Sequence, residues 1–292
     1  MKKNHMLTDR IKHVPELRHF YEFAKPISAA EFRSQKVVNE FEKLSNPSLF
    51  ANLINYEMTL INSSGTYNPP GANYTAINLI DEIEYTLDLM FVDSVNIGTE
   101  NKFVSSLKQD YLLLSLTQGG IPYNLYEQQH PIDPSIFDSG KAITLISEHA
   151  NLQYGECILL KKNESLLKYN MIAEQKKVIL LTLSAKQPTT FIWTYDLKTL
   201  FPHQIVSTIQ DSRIENICIL LGNFRHPDSI ARMKYMLGHP KHNIRWTAFK
   251  TLMELDMEEG IKSLDLLLSD THPEVRQAAQ KTKILIETQL TQ

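Results

Sequence analysis

Residues 84–93 read Glu-Tyr-Thr-Leu-Asp-Leu-Met-Phe-Val-Asp, and the character of the side chains repeats with a period of two. In an extended chain one face carries Tyr85, Leu87, Leu89 and Phe91, and the other face carries Thr86, Asp88, Met90 and Val92. Alternation of this kind predicts a β-strand whose apolar face packs against a core. The stretch therefore predicts that the middle of the chain folds as β-sheet.

The same period continues from about residue 74 to residue 195. Further strands are predicted at residues 111–117, 121–127, 141–147, 156–160, 166–171, 178–185 and 190–195, with turn-forming residues between them. Many short strands at regular spacing favour an antiparallel sandwich or barrel. No helical pattern of 10–15 residues separates the strands, which argues against a parallel sheet. A β domain is predicted at residues 73–196.

Before this segment, residues 1–72 are predicted to be helical. Ser28 and Glu31 have the spacing of a capping box, which predicts a helix that starts there. Asn46-Pro47 ends this helix, and a second helix follows from Leu49 to Ile61. Residues 62–71 are rich in turn formers and mark the boundary to the β domain.

After the β domain, residues 197–292 contain an internal repeat of 31 residues. Ile230 matches Ile261 and Leu237 matches Leu268, and the preceding helices match through Ile217, Ala248 and Ala279. Ile205-Val206 extends the same register towards the N-terminus as a partial unit. Each unit is a helix pair that buries its apolar stripe against its neighbours. A generic helical bundle is the alternative.

Composition excludes several classes of function. The 292 residues carry a net charge of −3, which argues against a nucleic-acid binder that relies on a basic surface. The 10 glycines form no phosphate-binding loop, and Cys157 and Cys218 form no CxxC motif. No apolar run reaches the roughly 20 residues of a membrane span, and no signal-peptide pattern follows the two N-terminal lysines. The expectation is a cytoplasmic protein that contacts neither nucleic acid nor membrane.

Two resemblances to known families can be given. The strand and turn pattern around Gly155-Glu156, followed by the strand at 178–185, resembles the second half of a cupin, a double-stranded β-helix or jelly roll; another antiparallel sandwich is the alternative. The pattern of Asp270, Val275-Arg276 and Ala279 resembles the HEAT repeat family, although His239 stands where the preceding unit would carry the aspartate. The implied fold class is α+β and multi-domain, with N-terminal helices, a cupin-like jelly roll and a short α-solenoid.

The cupin resemblance implies a metal site in many members, built from a His-x-His pair, a glutamate and a further histidine. The corresponding stretch here, residues 123–130, contains only His130, and residues 166–170 contain no histidine. The family's metal ligands therefore cannot be assigned to this chain. A non-standard divalent metal site remains an alternative, with Glu127, His130 and His149 as candidate ligands; Glu148, next to His149, faces the opposite way on a strand.

A small organic ligand is the other possible occupant of the β domain. Several aromatic side chains with a few polar groups are typical of such a pocket, and the candidate binding residues are Tyr123, Tyr126, Glu127, Lys168 and Tyr169. A filled aromatic core explains the same composition.

Two functions of different class follow. The first is a non-catalytic module that binds a small molecule without a cofactor, with helical repeats that dock a protein partner or a second copy. The alternative is a metal-dependent cupin enzyme, of dioxygenase or isomerase type, with an atypical ligand set, and this rests on analogy of fold. A third is a metal-free cupin that uses a Tyr, Lys or Glu for acid–base catalysis. The resemblance to cupins also implies a homodimer.

Overall fold

The computed structural model describes residues 10–28, 30–64, 75–93, 102–128, 133, 135, 136, 138–170, 177–189, 191–207, 209–226 and 228–290. The chain divides into two compact units, residues 1–206 and 207–292. The first unit contains helices α1 (Pro15–Ala24), α2 (Gln35–Glu42) and α3 (Pro47–Ser64), with a short 3-10 helix at Lys43–Ser45. Its strands are β1 (Ala76–Asp81), β2 (Tyr85–Asp93), β3 (Phe103–Ser105), β4 (Tyr111–Ser115), β5 (Ile121–Gln128), β6 (Ile143–Leu152), β7 (Cys157–Leu160), β8 (Ser165–Tyr169), β9 (Lys177–Ala185), β10 (Phe191–Asp196) and β11 (Pro202–Ser207).

Strands β2 to β9 pair as a long hairpin folded back on itself. The hairpin β5–β6 is innermost, β4 pairs with β7, β3 lies beside β8, and β2 pairs with β9. Wrapping this nested hairpin gives one sheet in the order β1-β2-β9-β4-β7 and another in the order β6-β5-β8 with β3 alongside. This connectivity is that of a jelly roll. The predicted antiparallel β domain and its jelly-roll fold are therefore confirmed.

All seven strands predicted after residue 110 are present, and residues 84–93 form β2 as expected. Three strands were missed: β1, β3 and β11. Strand β11 corrects the predicted domain boundary, because residues 202–207 extend the sheet of β10 and do not begin the helical repeats. Ile205 packs against the cluster of Trp193 and Tyr195, so its agreement with the repeat register is coincidental.

The N-terminal helices cover the outer face of the five-stranded sheet and share one core with it. Leu17, Phe20 and Phe41 from the helices pack with leucines of β2, β4 and β9. The predicted 1–72 segment is therefore part of the β unit. The Ser28–Glu31 capping-box contacts form, but helix α2 begins at Gln35, where Ser34 caps the amide of Val37.

The second unit contains α4 (Ile209–Phe224), α5 (Ser229–Met236), α6 (His242–Leu255), α7 (Met257–Leu268) and α8 (Pro273–Leu290). Among the repeated apolar positions, Leu237, Ala248 and Ala279 are buried, as are Met233 and Leu264, whereas Ile261 is 37% exposed.

The repeat also extends to its hydrogen bonds, although not every repeated apolar position faces the core. Arg245 Nη1 donates to the carbonyls of His239 and Pro240, and Arg276, 31 residues later, donates to those of Asp270 and Thr271. Ile217, however, is 54% exposed, because Cys218 faces the core in its place on the first helix of the unit.

Candidate functional site

The five-stranded sheet has an outer face against the helices and an inner face that looks towards β5, β6 and β8. Val178 and Leu180 of β9 identify the inner face, because they cluster with Ile121 of β5 and Leu152 of β6. Following the alternation of β9 along the same face leads to Thr182 and then to Ser184. The inner face is thus apolar at one end and polar at the other.

The polar end consists of two neighbouring rows that cross the sheet. The register places Asn78, Asp88 and Thr182 in one row, and Thr86, Ser184 and Tyr111 in the next. Residues from β1, β2, β4 and β9 therefore meet on one surface. The group offers one carboxyl, one amide and four hydroxyl groups, and we name it the inner polar cluster.

Hydrogen bonds fix most members of the inner polar cluster. Asn78 Nδ2 donates to Asp88 Oδ1 at 2.8 Å, and the Thr86 and Ser184 hydroxyl oxygens lie 2.6 Å apart. A contact from the N-terminal segment fixes the backbone of β1. The buried Arg10 donates to the carbonyl of Asn78 at 2.8 Å and forms an ion pair with Glu57. The N-terminal segment thereby positions a residue of the cluster.

Two members of the cluster have shifted pKa values. Burial raises the pKa of Asp88 above its usual value, and hydrogen bonds from Asn78 and Thr86 only partly oppose this. Burial, with the nearby Asp88 charge as a second cause, raises the pKa of Tyr111 to about 12. A carboxyl with a raised pKa exists more readily as the neutral acid, which can donate as well as accept a hydrogen bond.

Thr182 is the exception within the hydrogen-bond network. Its side chain is 3% exposed, and its Oγ1 has no hydrogen-bond partner among the described residues. Such a buried hydroxyl costs free energy of folding unless something bonds to it. Thr182 lies directly beside Asp88 in its row on the inner face.

The five sequence-predicted binding residues do not form one site. Tyr123 and Tyr169 are directly opposite each other and pack against the apolar end of the inner face. Tyr126 belongs to a different cluster, with Trp193 and Tyr195. Lys168 lies opposite Asn124, and Glu127 lies opposite Ser165. Burial strongly raises the pKa of Tyr169, as expected for a packed aromatic residue.

The candidate metal ligands of the β domain are also separated. Glu127 pairs with Thr144 across the β5–β6 hairpin, whereas His149 lies five residues further along β6, about 15 Å away at the usual rise of a strand. His149 has a positive φ of 52° and an exposed side chain beside Glu148. His130 lies outside the described residues. Glu127 and His149 therefore do not fit the coordination of one ion.

A separate cleft lies at the helix-covered edge of the sheet. It is an open cleft of about 650 Å³, lined by Lys12, Arg18 and Lys186 and by Glu22, Asp81 and Glu82, among others. The three basic and three acidic groups offset each other, and Lys186 already pairs with Asp81. The cleft has no excess charge that would select a charged ligand, so the inner polar cluster is the stronger candidate.

Residues 84–93 contained a usable signal for this site. Their alternation places Thr86 and Asp88 on the face away from the apolar core, and the structure confirms that arrangement. Thr182 and Ser184 were missed, because their strand reads as uniformly apolar apart from these two hydroxyl groups.

Comparisons with known proteins agree with the division into two units. A family model described as HEAT repeats matches residues 213–282, within the helical unit. This confirms the predicted HEAT-like repeats, although the match covers less than half of the chain. A search of the curated proteins finds no match.

Solved structures similar to the chain include a cupin-2 domain protein from Shewanella frigidimarina, at 10% identity and a TM-score of 0.23, which covers 46% of this chain and 92% of that one. An RmlC-like cupin protein from Ralstonia eutropha has 12% identity and a TM-score of 0.25, with 52% and 78% covered. The FeII form of HppE has 12% identity and a TM-score of 0.24, with 60% and 98% covered. Scores this low carry no argument about ligand or activity.

The assignment of the β unit therefore rests on its strand order. That order and the HEAT match together describe a cupin-like jelly roll with N-terminal helices, followed by HEAT-like helical repeats. None of the helices in the described part of the chain combines the length and apolarity that crossing a bilayer requires.

Proposed function

We propose that the protein is a non-catalytic binding module whose inner polar cluster binds a small, uncharged molecule with several hydroxyl groups. The observation that carries this proposal is Thr182, a buried hydroxyl that has no hydrogen-bond partner within the described part of the chain, in a row with Asn78 and Asp88. A ligand hydroxyl in front of this row can bond to Thr182 and Asp88 together. Few, well-placed polar groups beside an apolar wall are typical of small-molecule sites.

The charge of the inner polar cluster supports an uncharged ligand. Asp88 is its only ionisable carboxyl, and burial disfavours the charged form of that carboxyl. The cluster has no basic side chain to pair with an anionic ligand, and Asp88, its only carboxyl, already accepts hydrogen bonds from Asn78 and Thr86. Hydroxyl groups of a neutral polyol match the hydroxyl, amide and carboxyl groups of the cluster.

The HEAT-like unit completes the proposal as a docking surface. Ile217, Leu220 and Phe224 of α4 recur at helical spacing and are 54%, 50% and 77% exposed. An exposed apolar stripe of this kind is typical of protein-interaction sites. We include self-association through this stripe in the proposed function, and the molar mass of the wild type and of Phe224→Ser, measured by light scattering, tests it. A monomeric wild type contradicts self-association.

Ligand binding is tested with a panel of neutral monosaccharides and alditols, by thermal shift and then by calorimetry. We expect at least one compound to bind the wild type and to lose about 10-fold in affinity in Thr182→Val and in Asp88→Asn, the effect of one lost hydrogen bond. Thr194→Val is the matched control, because Thr194 is a buried strand threonine in another sheet. If no compound binds, or if the control loses as much affinity, the proposal fails.

The alternative, a metal-dependent cupin enzyme, is tested by measuring the metal content of the protein. Purified protein is analysed for iron, manganese, nickel and zinc. A stoichiometric metal that is lost in Glu127→Ala, but kept when the histidines of the helical unit are replaced, would overturn the binding module in favour of the enzyme.

A further inference from the structure

The first helices of consecutive repeat units, α6 and α8, begin side by side in the HEAT-like unit. His242 is the first residue of α6, and His272 stands immediately before Pro273, the first residue of α8. Glu274 follows in the first turn of α8. Helices α6 and α8 contact each other, so that three side chains with metal-binding atoms meet at one end of the helix pair.

These three side chains are closely grouped. The imidazole rings of His242 and His272 stack with centroids 3.5 Å apart and planes inclined by only 2°. Glu274 Oε2 lies 3.9 Å from His242 Nε2. One ligand atom from each residue lies within 4.8 Å of the other two, and this is the only such His, Cys, Asp or Glu group of three within the described ranges.

We propose that His242, His272 and Glu274 bind a first-row divalent cation of borderline softness, such as Zn²⁺, which links the two repeat units. Two imidazole nitrogens and one carboxylate oxygen form a common zinc ligand set, with a fourth position left for water. The carboxylate of Glu274 supplies the negative charge that compensates the cation. Nothing in the HEAT-like pattern itself requires histidines at these positions.

The spacing suits coordination after a small rearrangement. Two nitrogens bound to one tetrahedral zinc ion lie about 3.3 Å apart, given zinc–nitrogen bonds of about 2.05 Å. The nitrogen lone pairs lie in the ring planes, and these planes are parallel, so the rings must rotate about their Cβ–Cγ bonds for the lone pairs to converge on one ion. Glu274 is 42% exposed and has the freedom to follow.

The backbone around His272 is held in place by neighbouring contacts. Asp270 Oδ1 accepts the backbone N–H of His272 at 2.7 Å, and both Asp270 oxygens bond to the buried Arg245. Arg276 donates to the carbonyls of Asp270 and Thr271 from the other side. A ligand on such a fixed loop loses little freedom on binding a metal, and contacts of this kind typically support metal affinity.

The test uses the full chain, stripped of metal with a chelator and titrated with Zn²⁺ by calorimetry, and with Co²⁺ by visible absorption. We expect one ion per chain, a loss of affinity of at least about 100-fold in His242→Ala and in His272→Ala, and about 10-fold in Glu274→Gln. His226→Ala is the matched control, because His226 is an exposed loop histidine of the same unit. Its affinity should equal that of the wild type.

The proposal is overturned if the wild type shows no saturable binding, or if all three variants bind as tightly as the wild type, or if His226→Ala loses as much affinity as His272→Ala. Circular dichroism checks that each variant keeps its helices. Because Glu274→Gln changes only an exposed carboxyl to an amide, it remains informative even if a histidine variant unfolds.

Discussion

The two faces of the five-stranded sheet differ in a way that separates stability from the proposed binding of a ligand. On β9, Leu181 and Leu183 point outward and are completely or almost completely buried under the N-terminal helices. Thr182 and Ser184, which alternate with them, point inward and belong to the inner polar cluster. One strand therefore has a face that packs in the core and a face that carries the proposed site, and neighbouring residues on it are expected to respond to substitution in different ways.

The largest expected effect is a loss of stability when the outer face of the sheet is changed. Leu181→Ala removes a side chain that is 0% exposed at the centre of the core, so the free energy of unfolding should fall by about 2–5 kcal/mol. Urea denaturation measures this loss. The matched variant Thr182→Val, one residue further, should leave stability unchanged or raise it by up to about 1 kcal/mol, because it removes an unpartnered buried hydroxyl. Equal destabilisation by both variants would contradict the assignment of the faces.

A smaller effect concerns the ion pair that attaches the helical segment to the sheet edge. Arg33 donates to both oxygens of Asp110, each at 2.9 Å, and the backbone N–H of Lys162 bonds to the same carboxylate. Asp110→Asn should cost about 1–2 kcal/mol at pH 7, allowing for the 38% exposure of Arg33.

The pH dependence of this pair has a definite sign. Burial alone would raise the pKa of Asp110, but the bonds from Arg33 and Lys162 outweigh it and lower the pKa below 3.8. The folded state then binds the proton more weakly than the unfolded state, so the stabilisation is present above pH 3.8 and is lost as the pH falls through the lowered value. Urea midpoints of wild type and Asp110→Asn should therefore converge in acid. A constant difference down to pH 2 would show that the charge of Asp110 is not the cause.

The longest regular strand was the clearest in the sequence, and each missed strand has its own reason. Strand β2 alternates without a break over nine residues, whereas β1 contains a register shift between Asn78 and Ile80, and β3 has only three residues. Strand β11 was not predicted, because Ile205 matches the register of the helical repeat by coincidence. The repeat itself could be predicted from the sequence, because each unit mainly contacts its neighbours and therefore keeps a similar pattern of apolar residues.

The candidate site could be predicted only in part. Thr86 and Asp88 stand out in the alternation of β2, but their partners Thr182 and Ser184 lie almost 100 residues away in the chain. Only the pairing of β2 with β9, set by the jelly-roll wrapping, brings them together. The aromatic residues chosen from composition fall instead into separate packed clusters, because aromatic side chains are favoured in sheets whether or not a ligand is bound.

The smallest expected effect concerns Asp88 on the inner face. Its pKa is shifted in the opposite direction to that of Asp110. Its pKa is raised, chiefly by burial, so its contribution to stability is complete below pH 3.8 and is lost as the pH rises through the raised value. Asp88→Asn does not titrate. Relative to the wild type, it should therefore gain stability with rising pH. Urea midpoints between pH 3 and pH 8 measure this difference. If the wild type instead becomes the more stable protein at pH 8, then the Asp88 carboxylate is stabilised where it lies, and its place in a site for uncharged ligands is wrong.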